Sequence, residues 1–373
     1  MSSLTRTNRP PRTATSARGS DAPVAPGGVP PAGGAAGWHP LVPPRRQRRT
    51  PRAGGRRGAA PAPGRRGAVA LAEAPAGCGA GRGGRVAGLA ELKRHLAWFG
   101  YLRPGAEHND AFDDRMEAAV KRYQSRLGLP ATGRLDPATL GLITSPRCGV
   151  SDGRVSVVMS DSAASRFTFL DGEPRWAGSG PLVLTYSVSS SAATVGYLPP
   201  EAVHAAFRSA FARWAKVIPV EFAEIDEDYS YHKADIRVSF YEGDHGDGSP
   251  FDGEEGVVAH AYSPKDGQVH FDAAERWTLD VDSETEAIDL ESVATHEIGH
   301  TLGLGHSSSP EAVMYTRRRR RRKVELSVDD IEGVQLLYGS NPRFRHEQQD
   351  PSPSLPPCHR EEAAGLVLLA LFG

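Results

Sequence analysis

Residues His296–His306 read HEIGHTLGLGH, and this stretch decides the fold. It closes a segment, TEAIDLESVATHEIGHTLGL, whose length and apolar content predict a helix. On a helix, positions four apart share a face, so the imidazoles of His296 and His300 can meet one ion. Gly303 then ends the helix by allowing a backbone turn that a side chain would hinder, and His306 comes back as a third ligand. Three neutral imidazoles leave one position of a tetrahedral zinc ion open for water, the pattern of a catalytic site. Glu297 directly follows the first ligand and reaches the water instead of the metal. It is expected to be the general base, taking the water proton during attack on a carbonyl and returning it to the leaving amine. A bare HExxH arises on helices by chance. The third histidine, followed by Met314 eight residues later, makes the pattern far more specific.

A second cluster lies upstream. His245, Asp247, His260 and His270 come from a loop and from two predicted strands, GVVAHAY and GQVHFD. Three imidazoles and a carboxylate with no open position describe a structural zinc site. A single exposed histidine in a polar loop commonly does nothing; the argument needs all four together. Asp252, Asp272 and Glu275 are hard oxygen ligands around the loop DGEEGV, which suits calcium.

The chain has 373 residues and a formal net charge of -1, which carries no signature of nucleic-acid binding, but its charge is unevenly placed. Residues 1–85 are rich in Arg, Pro, Gly and Ala, and Asp21 and Glu73 are their acidic residues. They hold too few large apolar residues for a core, so disorder is expected. An organellar targeting segment and a wrongly joined first exon are the alternatives. No apolar run of the secretory type is visible near Met1. Three cysteines, Cys78, Cys148 and Cys358, are an odd count in three different regions, so at least one thiol is expected to be free.

Order is expected from residue 86. LAELKRHLAWFGYL and FDDRMEAAVKRYQSRLGL carry apolar residues at helical spacing, and DPATLGLI begins with Asp136 as N-cap and Pro137 at the first helical position. The expected organisation is a three-helix domain over 86–152, a linker over 153–178, a mixed α/β domain over 179–340 and an unstructured tail over 341–373. In the large domain PLVLTYSV, VEFAEI and ADIRVSFY read as strands. PPEAVHAAFRSAFARWAKV reads as a helix ending before Pro219, and SVDDIEGVQLLYG as a last helix capped by Ser327.

These pieces together resemble the matrixins (matrix metalloproteinases) of the metzincin clan, most of all the plant type without a hemopexin domain. Met314 stands at the Met-turn position. PRCGVSD, residues 146–152, resembles the cysteine-switch motif PRCGxPD, and LSVDDIEGVQLLYG resembles the last matrixin helix. The resemblance spans residues 88–340. It implies an α+β fold, a metzincin catalytic domain with a mixed twisted sheet and three helices, preceded by a small three-helix peptidoglycan-binding-like propeptide. It implies a zinc endopeptidase made as a latent zymogen, with two zinc ions and calcium as cofactors. Cys148 would be the inhibitory zinc ligand of the zymogen: a thiolate is a good zinc ligand, and the catalytic ion has one open position. Arg147 and Asp152 would form an ion pair holding that turn, with Ser151 in place of the usual proline.

The resemblance also supplies the carbonyls of Gly253, Glu255 and Val257 as further calcium ligands, although Glu254-Glu255 replaces the usual Pro-Gly. Asp235 matches a ligand of a second calcium site, whose loop SPKDGQ is short here. Substrate would lie antiparallel to the edge strand containing Val258 and Ala259, with the pocket after the cut walled by Tyr315 and Thr316 and favouring a hydrophobic residue. The run Arg317–Arg322 followed by Lys323 departs from the family; a solvated loop, a specificity element and an anion-binding patch all remain open readings. Protein or peptide substrates, the propeptide as intramolecular inhibitor, a monomeric state and an extracellular location are implied. Activation by cleavage before Phe167 or Phe169 is expected. The C-terminal GLVLLALFG resembles a GPI-attachment signal. Two rival readings are a catalytically inactive metal-binding scaffold and a glycan-binding protein acting through the three-helix module.

Overall fold

A computed structural model describes residues 83–103, 107–153, 155–156, 166–189, 195, 197–225, 231–280, 282, 287–317 and 325–345. The expected disordered segment up to residue 82, the tail from residue 346, Cys78 and Cys358 lie outside them; residues 341–345, read as the start of an unstructured tail, instead pack onto the large domain, with Asn341 N donating to Val217 O.

The first helices are α1 (Leu89–Trp98), α2 (Asp114–Arg126) and α3 (Pro137–Thr144). The side chain of Asp113 accepts from Met116 N and that of Asp136 from Thr139 N, each satisfying a donor of the first turn. Leu89, Leu92, Leu96, Phe99, Phe112, Met116, Val120 and Tyr123 are buried in a core of their own. Lys93 is buried beside them, its ammonium held by Asn109 Oδ1 at 3.0 Å and Asp113 Oδ2 at 2.8 Å.

Beyond this domain, β1 (Arg147–Cys148) leads into β2 (Val155–Ser156), which pairs antiparallel with β3 (Phe169–Leu170). The large domain then contributes β4 (Leu182–Val188), α4 (Pro200–Val217), β5 (Val220–Glu224), β6 (Ile236–Tyr241), β7 (Val257–Ala261) and β8 (Gln268–Asp272). It closes with β9 (Trp277–Thr278), β10 (Ile288–Asp289), α5 (Leu290–Thr301) and α6 (Val328–Tyr338). The fold is α+β. The main sheet has the order β1-β7-β8-β6-β4-β5, parallel except between β7 and β8. Antiparallel pairing brings His260 directly opposite His270, so both imidazoles stand on one face.

Apolar alternation on the strands and the 3–4 spacing on α4 meet in one core containing Phe207, Phe211, Trp214, Phe240, Phe271 and Trp277. All twelve residues of α5 are buried, and Trp214 Nε1 donates to Thr295 O at 2.9 Å. Close packing against this helix requires a small residue: a Cβ on Gly299 would lie 2.3 Å from Met314 Sδ and 3.0 Å from Trp214. α6 is fixed by a capping box between Ser327 and Asp330.

α5 ends at Thr301, and Gly303 turns the chain with φ of 101°. A Cβ there would stand 2.1 Å from Pro174 O. Gly303→Ala therefore combines a backbone clash with a left-handed dihedral and is expected to cost about 2–3 kcal/mol of stability. Urea unfolding monitored by tryptophan fluorescence would show it as a lower midpoint.

One boundary differs from the sequence expectation. Residues 166–178, read as linker, pack into the large domain. Phe167 and Phe169 are buried, Leu170 N donates to Gly303 O, and Trp176 Nε1 donates to Thr301 O at 2.7 Å. Three aromatic anchors set among small and charged residues gave no periodic pattern, so their core role was not legible.

Candidate active site and metal centres

The helix α5 and the turn after Gly303 bring three imidazoles together. His300 Nε2 lies 3.1 Å from His296 Nε2 and 3.2 Å from His306 Nε2. The opposite nitrogens are all engaged: His296 Nδ1 on Val313 O at 2.7 Å, His300 Nδ1 on Leu304 O at 2.8 Å, and His306 Nδ1 on Asp152 Oδ1 at 2.7 Å. Those partners are acceptors, so each Nδ1 carries the proton and each Nε2 turns a lone pair to a common point. Three converging lone pairs call for a cation. Ligand bonds of about 2.0–2.3 Å put tetrahedral donor atoms roughly 3.3–3.6 Å apart, so the residues fit zinc.

Cys148 Sγ completes the group. It stands 3.4 Å from His300 Nε2, and the four donor atoms lie within 4.8 Å of one another. Cys148 is buried, 1% exposed. Burial, and then the nearby Glu297 carboxylate, push the metal-free thiol well above its ordinary pKa. Glu297 thus interacts with the thiol itself.

Main-chain bonds hold the cysteine in place. Arg147 N donates to Gly256 O at 2.7 Å, Gly149 N to Ala259 O at 2.8 Å, and Cys148 N to Thr316 O at 3.2 Å. The strand β1 thus lies between β7 and the segment after Met314, parallel to β7 with Arg147 opposite Val257 and Cys148 opposite Ala259. Gly149 fits here because a Cβ would meet Val257 Cγ1 at 2.7 Å. Arg147 is buried, with its guanidinium over the Phe99 ring at 3.3 Å and 2.9 Å from Asp152 Oδ2.

Asp152 does more than pair with Arg147. Tyr101 donates to its Oδ2 at 2.8 Å while His306 binds its Oδ1. Burial would raise this carboxyl, but Arg147 and His306 hold it far below the usual carboxylate range. Sequence reasoning missed its contact with His306, as well as Tyr101, Arg126, whose guanidinium donates to His306 O, and Asp330. Asp330 is buried and accepts from Val313 N at 2.8 Å and Met314 N at 3.0 Å, fixing the turn whose carbonyl orients His296. Its capping box with Ser327 was the one available signal.

The second cluster gathers around a single oxygen. Asp247 Oδ2 lies 2.8 Å from His245 Nε2, 2.8 Å from His260 Nε2 and 3.0 Å from His270 Nδ1. Burial lowers both His260 and His270, the latter to about 4, so both are neutral and ready as ligands at pH 7. Burial would raise Asp247, yet His260 and the Ser249 amide hold it well below its ordinary value. The four residues form the second group of donor atoms within 4.8 Å among the described residues.

Residues 175–339 match the family model described as Matrixin, and residues 85–143 match that of a peptidoglycan binding domain. Metalloendoproteinase 1-MMP of Arabidopsis thaliana is 49% identical over 269 residues, covering 70% of this chain and 72% of the relative. The chain belongs to the matrixin family. Metalloendoproteinase 1 of Glycine max is 42% identical over 263 residues, 68% of this chain and 83% of the relative. Matrix metalloproteinase-20 of Homo sapiens is 36% identical over 230 residues, 60% and 42% of the two chains. The higher identity to the plant proteins agrees with the plant-type resemblance. This matrixin is a zinc metalloendopeptidase that acts on protein substrates, carries a propeptide domain, and takes zinc and calcium as cofactors.

For calcium, the matrixin offers the loop 252–257. Burial raises Asp272 to about 6 even though Ala274 N and Gly253 N donate to it. A buried acid short of positive charge fits a cation. The loop closes tightly, since a Cβ on Gly256 would stand 2.4 Å from Asp252 Oδ2, and Glu255 takes φ of 59°. Asp252 Oδ1 accepts from Val257 N at 2.9 Å, and Glu275 is buried nearby in sequence. The side chains of Asp252, Asp272 and Glu275 do not form a donor group within 4.8 Å. Asp235, the residue of the second expected calcium site, instead accepts from Thr185 N at 2.8 Å and Thr185 Oγ1 at 2.7 Å, tying β4 to the start of β6.

Proposed function

We propose that this matrixin is a latent endopeptidase, with Glu297 as general base and Cys148 as an inhibitory ligand of the catalytic zinc. The observation that carries the reading is the convergence of Cys148 Sγ with the three Nε2 atoms, against Glu297. His296, His300 and His306 would hold the catalytic ion, and His245, Asp247, His260 and His270 the structural one. Asp252, Asp272 and Glu275, with the carbonyls of Gly253, Glu255 and Val257, would hold calcium. Bound zinc supplies Lewis-acid chemistry, lowering the pKa of a water toward neutrality and polarising a peptide carbonyl.

Glu297 takes a proton from the attacking water and delivers it to the departing amine nitrogen. Its position directly after His296 gives it reach to the open site without competing as a ligand. Once β1 has left with the propeptide, Val258 and Ala259 present the edge of β7 to an extended peptide, antiparallel in the productive complex. The latch strand β1 is parallel to β7, so it lies in the cleft with the opposite chain direction. Tyr315 and Thr316 wall the pocket for the residue after the cut, which is expected to be hydrophobic.

In the zymogen, Cys148 fills the position that water needs, and the Arg147–Asp152 pair keeps the turn in shape. Tyr315 donates to Leu127 O at 3.3 Å, and Arg126 reaches His306 O. These contacts support the helical domain as an inhibitor over a free glycan-binding module. Cleavage before Phe167 or Phe169 would release it. We place the enzyme outside the cell as a monomer; the apolar C-terminus proposed as a GPI signal lies outside the described residues. Among those residues no helix is long and apolar enough to cross a membrane.

The test is turnover of a fluorogenic peptide after propeptide removal. Dialysis against a zinc chelator is expected to abolish it and added zinc to restore it. Undiminished hydrolysis by the metal-free protein would overturn the reading.

A further inference from the structure

The segment after Met314 makes one set of contacts in the zymogen that it cannot keep in the mature enzyme. Tyr315 is buried within the propeptide's own apolar cluster. Arg317 is 4% exposed. One of its terminal nitrogens donates to Ser145 O at 2.7 Å and the other to Tyr123 Oη at 2.8 Å. Both acceptors belong to the propeptide. Burial of a guanidinium is unfavourable unless its donors find acceptors, and Arg317 Nε has none among the described residues. Departure of residues 86–152 removes both acceptors and opens the space in front of the side chain. The backbone of Arg317 stays on the cleft wall, where it now bridges to Arg147.

The latch fixes where that space lies along a substrate. Arg147 lies opposite Val257 and Cys148 opposite Ala259. Ser145, the residue that Arg317 touches, precedes the metal-binding Cys148 by three positions. A substrate antiparallel to β7 runs the other way, so its residues C-terminal to the cut fill the region of Ser145–Arg147. Arg317 is two residues beyond Tyr315, so it serves a position farther from the metal than the first pocket. A planar guanidinium with two freed donors matches a carboxylate better than any other peptide group.

We propose that Arg317 is a specificity-determining residue of the mature enzyme, recognising an aspartate or glutamate two or three residues after the scissile bond. The zymogen keeps that site closed by supplying the Ser145 carbonyl and the Tyr123 hydroxyl in place of the substrate carboxylate. This rests on the peptidase reading above, and of the three readings of the arginine run it selects the specificity element, for its first residue.

The experiment uses full-length zymogen activated by limited proteolysis and paired peptides that differ only by Glu or Gln at the second or third residue after the cut. Wild type is expected to cleave one Glu peptide with kcat/KM roughly five- to tenfold above its Gln partner, the scale of a partly exposed charged hydrogen bond. In Arg317→Ala that ratio should fall to about one. In Arg317→Glu a Lys peptide should become the better substrate. A wild-type ratio near one at both positions, with the Gln peptides cleaved readily, would overturn the proposal while leaving the peptidase intact. So would an acidic preference that survives Arg317→Ala. Failure of activated wild type to cleave any peptide would overturn both this proposal and the reading beneath it. The wild-type comparison needs no variant and stands even if a substitution fails to fold.

Discussion

Cys148→Ser is expected to make the intact chain an active peptidase without propeptide cleavage. The serine hydroxyl is a far weaker zinc ligand than a thiolate, so water can enter and meet Glu297. The rest of the latch remains: the buried Arg147–Asp152 pair, the bond of Asp152 to His306 and the main-chain bonds of β1 to β7. Activation should therefore be large yet incomplete. A rise of about a hundredfold over intact wild type corresponds to about 2.7 kcal/mol of lost inhibition. Turnover of a fluorogenic peptide by uncleaved protein, checked on a gel after the assay, measures it. A thiol-binding organomercurial should produce the same effect in the wild type. If neither treatment raises activity, the occupied cleft inhibits by itself and the thiol is incidental.

Glu297→Ala is expected to lower kcat by about 10²–10⁴ in the propeptide-free enzyme, the range for loss of a positioned proton acceptor. The donor cluster consists of the three imidazoles and the sulfur without Glu297, and in this account the carboxylate has no part in holding the metal. Zinc content by atomic absorption should thus equal that of wild type. Equal turnover by the two proteins would remove Glu297 from the mechanism, and simultaneous loss of zinc would recast it as a structural residue.

Local rules carried most of the architecture. The spacing of His296, His300 and His306, the stop at Gly303 and the caps at Asp136 and Ser327 are all encoded within a few residues, and the structure forms each of them. The pairing of His260 with His270 was legible because two short strands bracket one loop. Contacts between distant segments were not. The bond from Asp152 to His306 joins residues 154 positions apart, and nothing in the local sequence of Asp152 gives its second oxygen a partner. Arg317 opens a run of six arginines, where composition argues for solvation, yet Tyr123 and Ser145 bury it. Phe167, Phe169 and Trp176 were hidden in an aperiodic stretch, because docking onto the finished domain, not a repeating face, determines their burial.

The central claim is that the propeptide thiol is a ligand of the catalytic zinc. Zinc X-ray absorption on the intact, uncleaved protein tests it most directly. With two zinc ions bound per chain, the account predicts a sulfur neighbour at about 2.3 Å with an average occupancy of about one half per zinc, beside nitrogen and oxygen at about 2.0–2.1 Å. The sulfur should vanish in Cys148→Ser. A first shell of nitrogen and oxygen alone in the intact wild type would contradict the account.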